Sequence, residues 1–250
     1  GIRIMMKIIW LTFLFSVLVA QNKEMSVLEI IGEIDKNMNA KTRVLTSKMI
    51  VHGRRSSRTI ESKNWVMGID QAFTEYLSPP REAGTKMLKL GDKLWTYSPQ
   101  TDRVIQISGH MLRQSVMGSD ISYNDMMEDR PIEELYSANI QQSIEINGRD
   151  HWIIVMDAKV NGLAYPKRKA WIDKEYMLPI KEELYAKSGK LLKTSTMSNI
   201  TKVQGRWFPF RFKYKDELKR SSKGTEWIIE QIEFNTMIPE SRFSKALLRK

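Results

Sequence analysis

From Thr42 onward, apolar residues recur at every second position in short segments, and turn-forming residues separate these segments at intervals of about ten. A period of two puts alternate side chains on opposite faces of a strand, and connections too short for a helical crossover leave antiparallel pairing as the outcome. The segments read as strands are 43–52, 58–68, 71–77, 85–90, 93–98 and 103–108, then 140–146, 151–160, 167–173, 179–186, 190–203, 207–218 and 225–234. Gly53, Asp70, Ser78-Pro79-Pro80 and Gly91-Asp92 punctuate the first group, while Asn147-Gly148 and Ser188-Gly189 are hairpin turns in the second. In Phe210, Phe212 and Tyr214 against Arg211, Lys213 and Lys215 the alternation is complete, so one face meets an apolar interior and the other meets water.

Two stretches break the period. Ser26 precedes Val27, Leu28, Ile30, Ile31 and Ile34, an apolar stripe at helical spacing with Ser26 as N-cap, and the helix is expected to end near 37–39. Between 109 and 130, Met111, Leu112, Val116 and Met117 lie at helical spacing, and 119–129 reads as a second short helix. This is a lid-like insertion, with Gly109 and Gly118 placed either as hinges or as helix terminators. Two helical stretches are little cover for a sheet of this size, which implies an apolar-lined cavity. The expected fold is mainly β (α+β): a single curved antiparallel sheet forming an incomplete β-barrel, with an N-terminal helix and a short helical lid over that cavity. No Gly/Ser linker or low-complexity tract divides residues 21–250, so a single domain is expected.

Arg3 and Lys7 precede an uncharged, mostly apolar run from Ile8 to Ala20, followed by polar Gln21, Asn22 and Lys23. That layout predicts a signal peptide over 1–20, cut after Ala20, with Met6 a candidate start. The run is shorter than the roughly 18 residues of a membrane span. The sequence has no cysteine, which excludes disulfides, thiolate metal sites, a cysteine nucleophile and a lipid-modified N-terminal cysteine. The formal net charge is +11, and residues 1–20 contribute two basic and no acidic residues to it. A basic secreted chain is suited to anionic lipid surfaces, lipid A phosphates or acidic partners, and not to nucleic acid; a solvated basic surface is the plainer alternative.

His52, His110 and His151 each stand without a second ligand at metal spacing, and no HExxH, G-x-S-x-G or phosphate-loop pattern occurs. Glu128-Asp129 and Glu133-Glu134 are ordinary acidic pairs of loops and helix surfaces. No catalytic residue, cofactor or metal is expected, and the chain reads as non-enzymatic.

The segment Thr74–Pro99 (TEYLSPPREAGTKMLKLGDKLWTYSP) and the segment Ile107–Asp120 (ISGHMLRQSVMGSD) resemble the outer membrane lipoprotein-sorting protein family of the periplasmic lipoprotein carrier (LolA/LolB-like) superfamily. The run 205–209 (GRWFP) and the closing 243–250 (FSKALLRK) fit the same family. The resemblance implies a half-barrel plugged by helices, a hydrophobic cavity for lipoprotein acyl chains, and an arginine on the sheet that helps to hold the lid closed.

Cavity candidates are Trp65, Met67, Phe73, Leu77, Met87, Leu94, Trp95, Phe210 and Phe212, with Met111, Leu112, Val116 and Met117 from the lid; ordinary core filling is the alternative for each. Fifteen methionines suit a surface that repacks around ligands of variable shape. Lys86, Lys89, Lys93 and Arg103, with Arg113 of the lid, are placed to meet lipid headgroups or an acidic partner, or simply form a solvated face. The function expected is a periplasmic carrier of lipid or lipoprotein acyl chains. It would act as a monomer in transient contact with membranes, an inner-membrane transporter or an outer-membrane acceptor. A sensor module of the same fold that binds a membrane-anchored partner is the alternative.

Overall fold

The computed structural model describes residues 24–250; the expected signal peptide lies outside them. Helix α1 (Val27–Met38) begins where the sequence places it, in a capping box: Ser26 Oγ accepts from Glu29 N at 3.2 Å and Glu29 Oε2 accepts from Ser26 N at 2.7 Å. Its C-terminal carbonyls at Lys36 and Asn39 accept from Arg206 Nη1, which replaces the hydrogen bonds a helix end leaves unmade.

Six strands follow: β1 (Thr42–His52), β2 (Ser57–Met67), β3 (Gln71–Ser78), β4 (Lys86–Leu90), β5 (Lys93–Ser98) and β6 (Arg103–Ile107). After the intervening segment come β7 (Tyr136–Ile146), β8 (Arg149–Ala158), β9 (Lys167–Asp173), β10 (Leu178–Tyr185), β11 (Leu191–Val203), β12 (Arg206–Asp216) and β13 (Thr225–Phe234). All thirteen form one antiparallel sheet in the order β6-β5-β4-β3-β2-β1-β13-β12-β11-β10-β9-β8-β7. Every neighbour is a sequence neighbour except β1 and β13, which join the two meanders in the middle. At the β7–β8 hairpin Asn147 and Gly148 both take positive φ, at 52° and 74°, the conformation that an Asn-Gly hairpin turn supplies at low cost.

The sheet is a curved half-barrel whose edges, β6 and β7, do not meet. Because β6 precedes β7 in the chain, residues 108–135 must travel from one free edge to the other. Folded tightly, this crossing covers the concave face. It is built of 3-10 turns at Gly109–Arg113 and Val116–Gly118 and short helices α2 (Tyr123–Met127) and α3 (Ile132–Leu135). The expected first lid helix is thus two 3-10 turns, interrupted by Met117 in the left-handed region (φ 49°). The covering segment also runs to Leu135, and β7 starts at Tyr136 rather than 140.

A third cover was not anticipated. The C-terminal 3-10 turns Glu240–Phe243 and Lys245–Arg249 lie on the opposite, convex face of β2–β5. There Phe243, Leu248 and Ile238 bury Phe73, Leu88 and Trp95. The first meander is therefore apolar on both faces, and that double burial explains its dense hydrophobic runs.

Candidate functional site

Between the concave face and the lid lies a cavity of about 460 Å3, within the range of small-molecule sites. Parity decides what reaches it. On β2 the inward residues are Ser62, Asn64 and Val66; on β3 they are Ala72, Thr74 and Tyr76. Leu45 and Met49 of β1, Leu184 of β10, Tyr214 of β12 and Trp227 of β13 complete the apolar part of the sheet wall. Val116, Ile121 and Met126 face it from the lid, and Leu163 and Ala164 from the β8–β9 loop.

Of the residues singled out from the sequence, Val116 lines this cavity. Met87 and Leu94 are inward and buried, packed beneath Met111, Leu112 and Met117 in the cluster that seats the lid. Phe212 lies on the same face of β12 beside the wall residue Tyr214, stacked on it at 6.4 Å between centroids, and Phe210 packs in the same cluster near the end of α1. Trp65, Met67, Phe73 and Trp95 are on the convex face beneath the C-terminal segment, and Leu77 is exposed. Their assignment to the cavity is corrected for a simple reason: a period of two defines two faces without saying which is concave, and both faces of β2–β5 are apolar here.

The basic group divides in the same way. Lys86 reaches the Leu247 carbonyl on the convex side. On the concave side Lys89 donates to Met127 O at 3.1 Å and to Asp129 Oδ2 at 2.6 Å, so it holds the lid instead of meeting solvent. Lys93, Arg103 and Arg113 are exposed.

The cavity is not uniformly apolar. Arg43, Asp125, Glu128, Asp129, Arg168, Glu182 and Lys193 line it together with the residues above. Sequence reasoning missed all but the acidic pair, although the signal was present: Arg43, Lys193 and Glu182 stand at inward parity beside Leu45 and Leu184. The buried lysine Lys193 pairs with Asp125, which also accepts from Tyr165 Oη at 2.7 Å. Arg168 donates to Glu182 at 2.6 Å. Burial alone would raise the Asp125 carboxyl, but the Lys193 charge and the hydrogen bonds of Lys193, Ser122 and Tyr165 outweigh it and hold the group below the usual carboxylate range. Burial pushes the Tyr76, Tyr165 and Tyr214 phenols up, so all three stay neutral.

Polar bonds fasten the lid along its length. Arg58 of β2 donates to the Met117 carbonyl. Lys219 donates to Ser115 Oγ (2.9 Å), Gly118 O (3.1 Å) and Ser119 O (2.6 Å). Asp120 accepts from Asp216 N, Ser222 Oγ and Thr225 Oγ1. Among the described residues no group of three His, Asp or Glu side chains is placed to hold a metal ion.

A family model described as "Uncharacterized protein" matches residues 68–250, and no curated protein matches the chain. Among solved structures, a domain from Vibrio parahaemolyticus described as an outer membrane lipoprotein-sorting protein is 25% identical, superposes with a TM-score of 0.78, and is matched over 89% of this chain and 98% of its own. A DUF1329 family protein from Desulfovibrio piger gives 20% identity and a TM-score of 0.80 over 88% of this chain and 96% of that one. For a LolA superfamily protein from Nitrosomonas europaea the values are 19%, 0.75, 90% and 100%. The chain belongs to the family matched over residues 68–250, and it shares its fold with the outer membrane lipoprotein-sorting domain and the LolA superfamily protein.

Proposed function

We propose that this protein is a periplasmic carrier that takes an acyl chain of a lipoprotein or another lipid into the cavity under its lid and gives it up toward the outer membrane. The observation that carries this reading is the cavity of about 460 Å3 left between the concave sheet and a lid that polar bonds and an apolar cluster at one end hold in place. Such a lid closes without filling the space beneath it. Each methylene moved from water into the cavity contributes about 0.8 kcal/mol, so an acyl chain binds without any specific polar contact. Release then depends on opening, and the Lys219, Asp120 and Arg58 bonds are the contacts a docking transporter or acceptor would have to break. The likeness in fold to the lipoprotein-sorting domain and the LolA superfamily protein supports the reading, as does the signal-peptide layout of residues 1–20.

Native mass spectrometry, with lipid extraction, of protein purified from a Gram-negative periplasm without detergent tests it. A bound phospholipid or lipoprotein at near one-to-one is the expected result. An unliganded mass that also refuses added acyl ligands would overturn the carrier reading in favour of a sensor that recognises a membrane-anchored protein.

A further inference from the structure

The cavity's ionic side chains do not all cancel. Each carboxylate on its wall already has a cation: Asp125 has Lys193, Glu128 has Arg130, Asp129 has Lys89 and Glu182 has Arg168. Arg43 is the exception among the described residues lining the cavity. Its one hydrogen bond runs from Nη1 to the Met38 carbonyl at 3.2 Å, its Nε–H is buried with no acceptor, and no carboxylate lies within ion-pairing distance. The nearest acidic influences are Asp129, already engaged by Lys89, and Asp35 of α1, and burial pulls the guanidinium below its ordinary pKa despite them. A guanidinium stays charged at any physiological pH, so this is a cation drawn out of water without a counterion. A purely apolar cargo would leave it so.

We propose that the cavity binds amphiphiles by an anionic headgroup, a carboxylate or a phosphate ester, seated on Arg43 with the acyl chain extending along Leu45, Met49, Tyr214 and Trp227. This rests on the cavity being a lipid site, and it narrows the cargo to acidic lipids. The free donors of Arg43 supply charge-assisted hydrogen bonds of the kind that fit carboxylate and phosphate oxygens. Thr42, its neighbour at the start of β1, faces the other way and bonds the Thr236 carbonyl, so this end of the strand is fixed and Arg43 is held in place.

The test is displacement of a fluorescent acyl probe from the purified full chain by palmitate, palmitoyl lysophosphatidic acid and 1-monopalmitoylglycerol, which share one chain and differ in headgroup. Anionic ligands are expected to bind at least about tenfold more tightly than the neutral glyceride. Arg43→Met should remove that preference while leaving glyceride binding intact, and Arg43→Lys should retain part of it. Preference for palmitate over lysophosphatidic acid, or the reverse, identifies which anion the site takes. Equal binding of charged and neutral ligands, or a preference that survives Arg43→Met, overturns the headgroup site and leaves the carrier reading standing. Failure of all three ligands to bind overturns both. Arg43→Met should fold, because it removes a buried charge that has no carboxylate partner; if it does not, Arg43→Lys still decides through its reduced anion preference.

Discussion

Asp120 of the lid and Thr225 at the start of β13 exchange two hydrogen bonds: Asp120 N donates to Thr225 Oγ1 at 2.9 Å, and that hydroxyl donates back to Asp120 Oδ2 at 2.7 Å. Both residues are buried, at 2% and 0% exposure. The same carboxylate accepts from Asp216 N at 2.9 Å and Ser222 Oγ at 2.7 Å, so one side chain ties the lid to β12, to β13 and to the loop between them. This carboxylate fastens the lid to the second meander, as Arg58 and Lys89 fasten it to the first.

Asp120→Ala removes the acceptor for three buried or half-buried donors at once. A loss of about 2–4 kcal/mol is expected, because each stranded buried donor costs about 1–3 kcal/mol less whatever water recovers. Thermal unfolding gives the magnitude. Hydrogen exchange should show faster exchange in 115–127, with the β9–β11 amides changed only as far as global stability falls.

Asp125 and Lys193 form a further polar link, at 19% and 7% side-chain exposure. Asp125→Asn leaves Lys193 buried without a counterion and should cost about 3–5 kcal/mol, while Asp125→Asn with Lys193→Met should recover most of it. The pH dependence follows from the direction of the shift. A carboxyl held below its unfolded value of about 3.9 contributes stability above that pH and loses it as pH falls through the folded-state value. The melting-temperature gap between the parent chain and Asp125→Asn should thus stay constant from pH 8 to 5 and narrow below about pH 4. A gap that already closes near pH 6 would mean that another group controls the lid.

Lys219 donates to three lid acceptors at 2.6–3.1 Å from a half-buried site. Lys219→Met keeps its aliphatic stem and removes those bonds. A loss of about 1 kcal/mol in global stability is expected, together with faster exchange of a preloaded fluorescent acyl ligand in stopped-flow measurements. An unchanged ligand off-rate would show that the lid does not open at this end.

Most of the strand order was legible because the chain obeys local rules. Strands 93–98, 167–173 and 225–234 have the boundaries that alternation assigns, and the Ser26 capping box starts α1 where predicted. What the sequence hid is non-local. Phe73 and Tyr76 are both large aromatic residues, and only the sheet's curvature, together with what lies on each side, sends one to the C-terminal segment and the other to the lid. Lys193 and Asp125 are 68 residues apart, so nothing in their spacing announces the pair. Phe243 and Leu248 sit in short 3-10 turns, where no periodicity marks a buried face.

Ala72 and Phe73, adjacent in β3, separate the two faces experimentally. Ala72 lines the cavity, whereas Phe73 is 1% exposed beneath Ile238, Phe243 and Leu248 on the convex side. Ala72→Trp puts a large ring into the cavity's space. It should weaken displacement of a fluorescent acyl probe at least about tenfold for a small change in stability, since an enclosed space accepts added volume more readily than a close-packed core does. Phe73→Ala opens a void in a packed cluster and should cost about 3–5 kcal/mol in denaturant unfolding, with probe affinity per folded molecule unchanged. The opposite pattern, with Phe73→Ala abolishing binding in the folded protein and Ala72→Trp leaving it intact, would place the ligand on the convex face, under the C-terminal segment. Parity makes the comparison strict, because the two substitutions sit one residue apart on a strand whose pairing with β2 and β4 is in register at both positions.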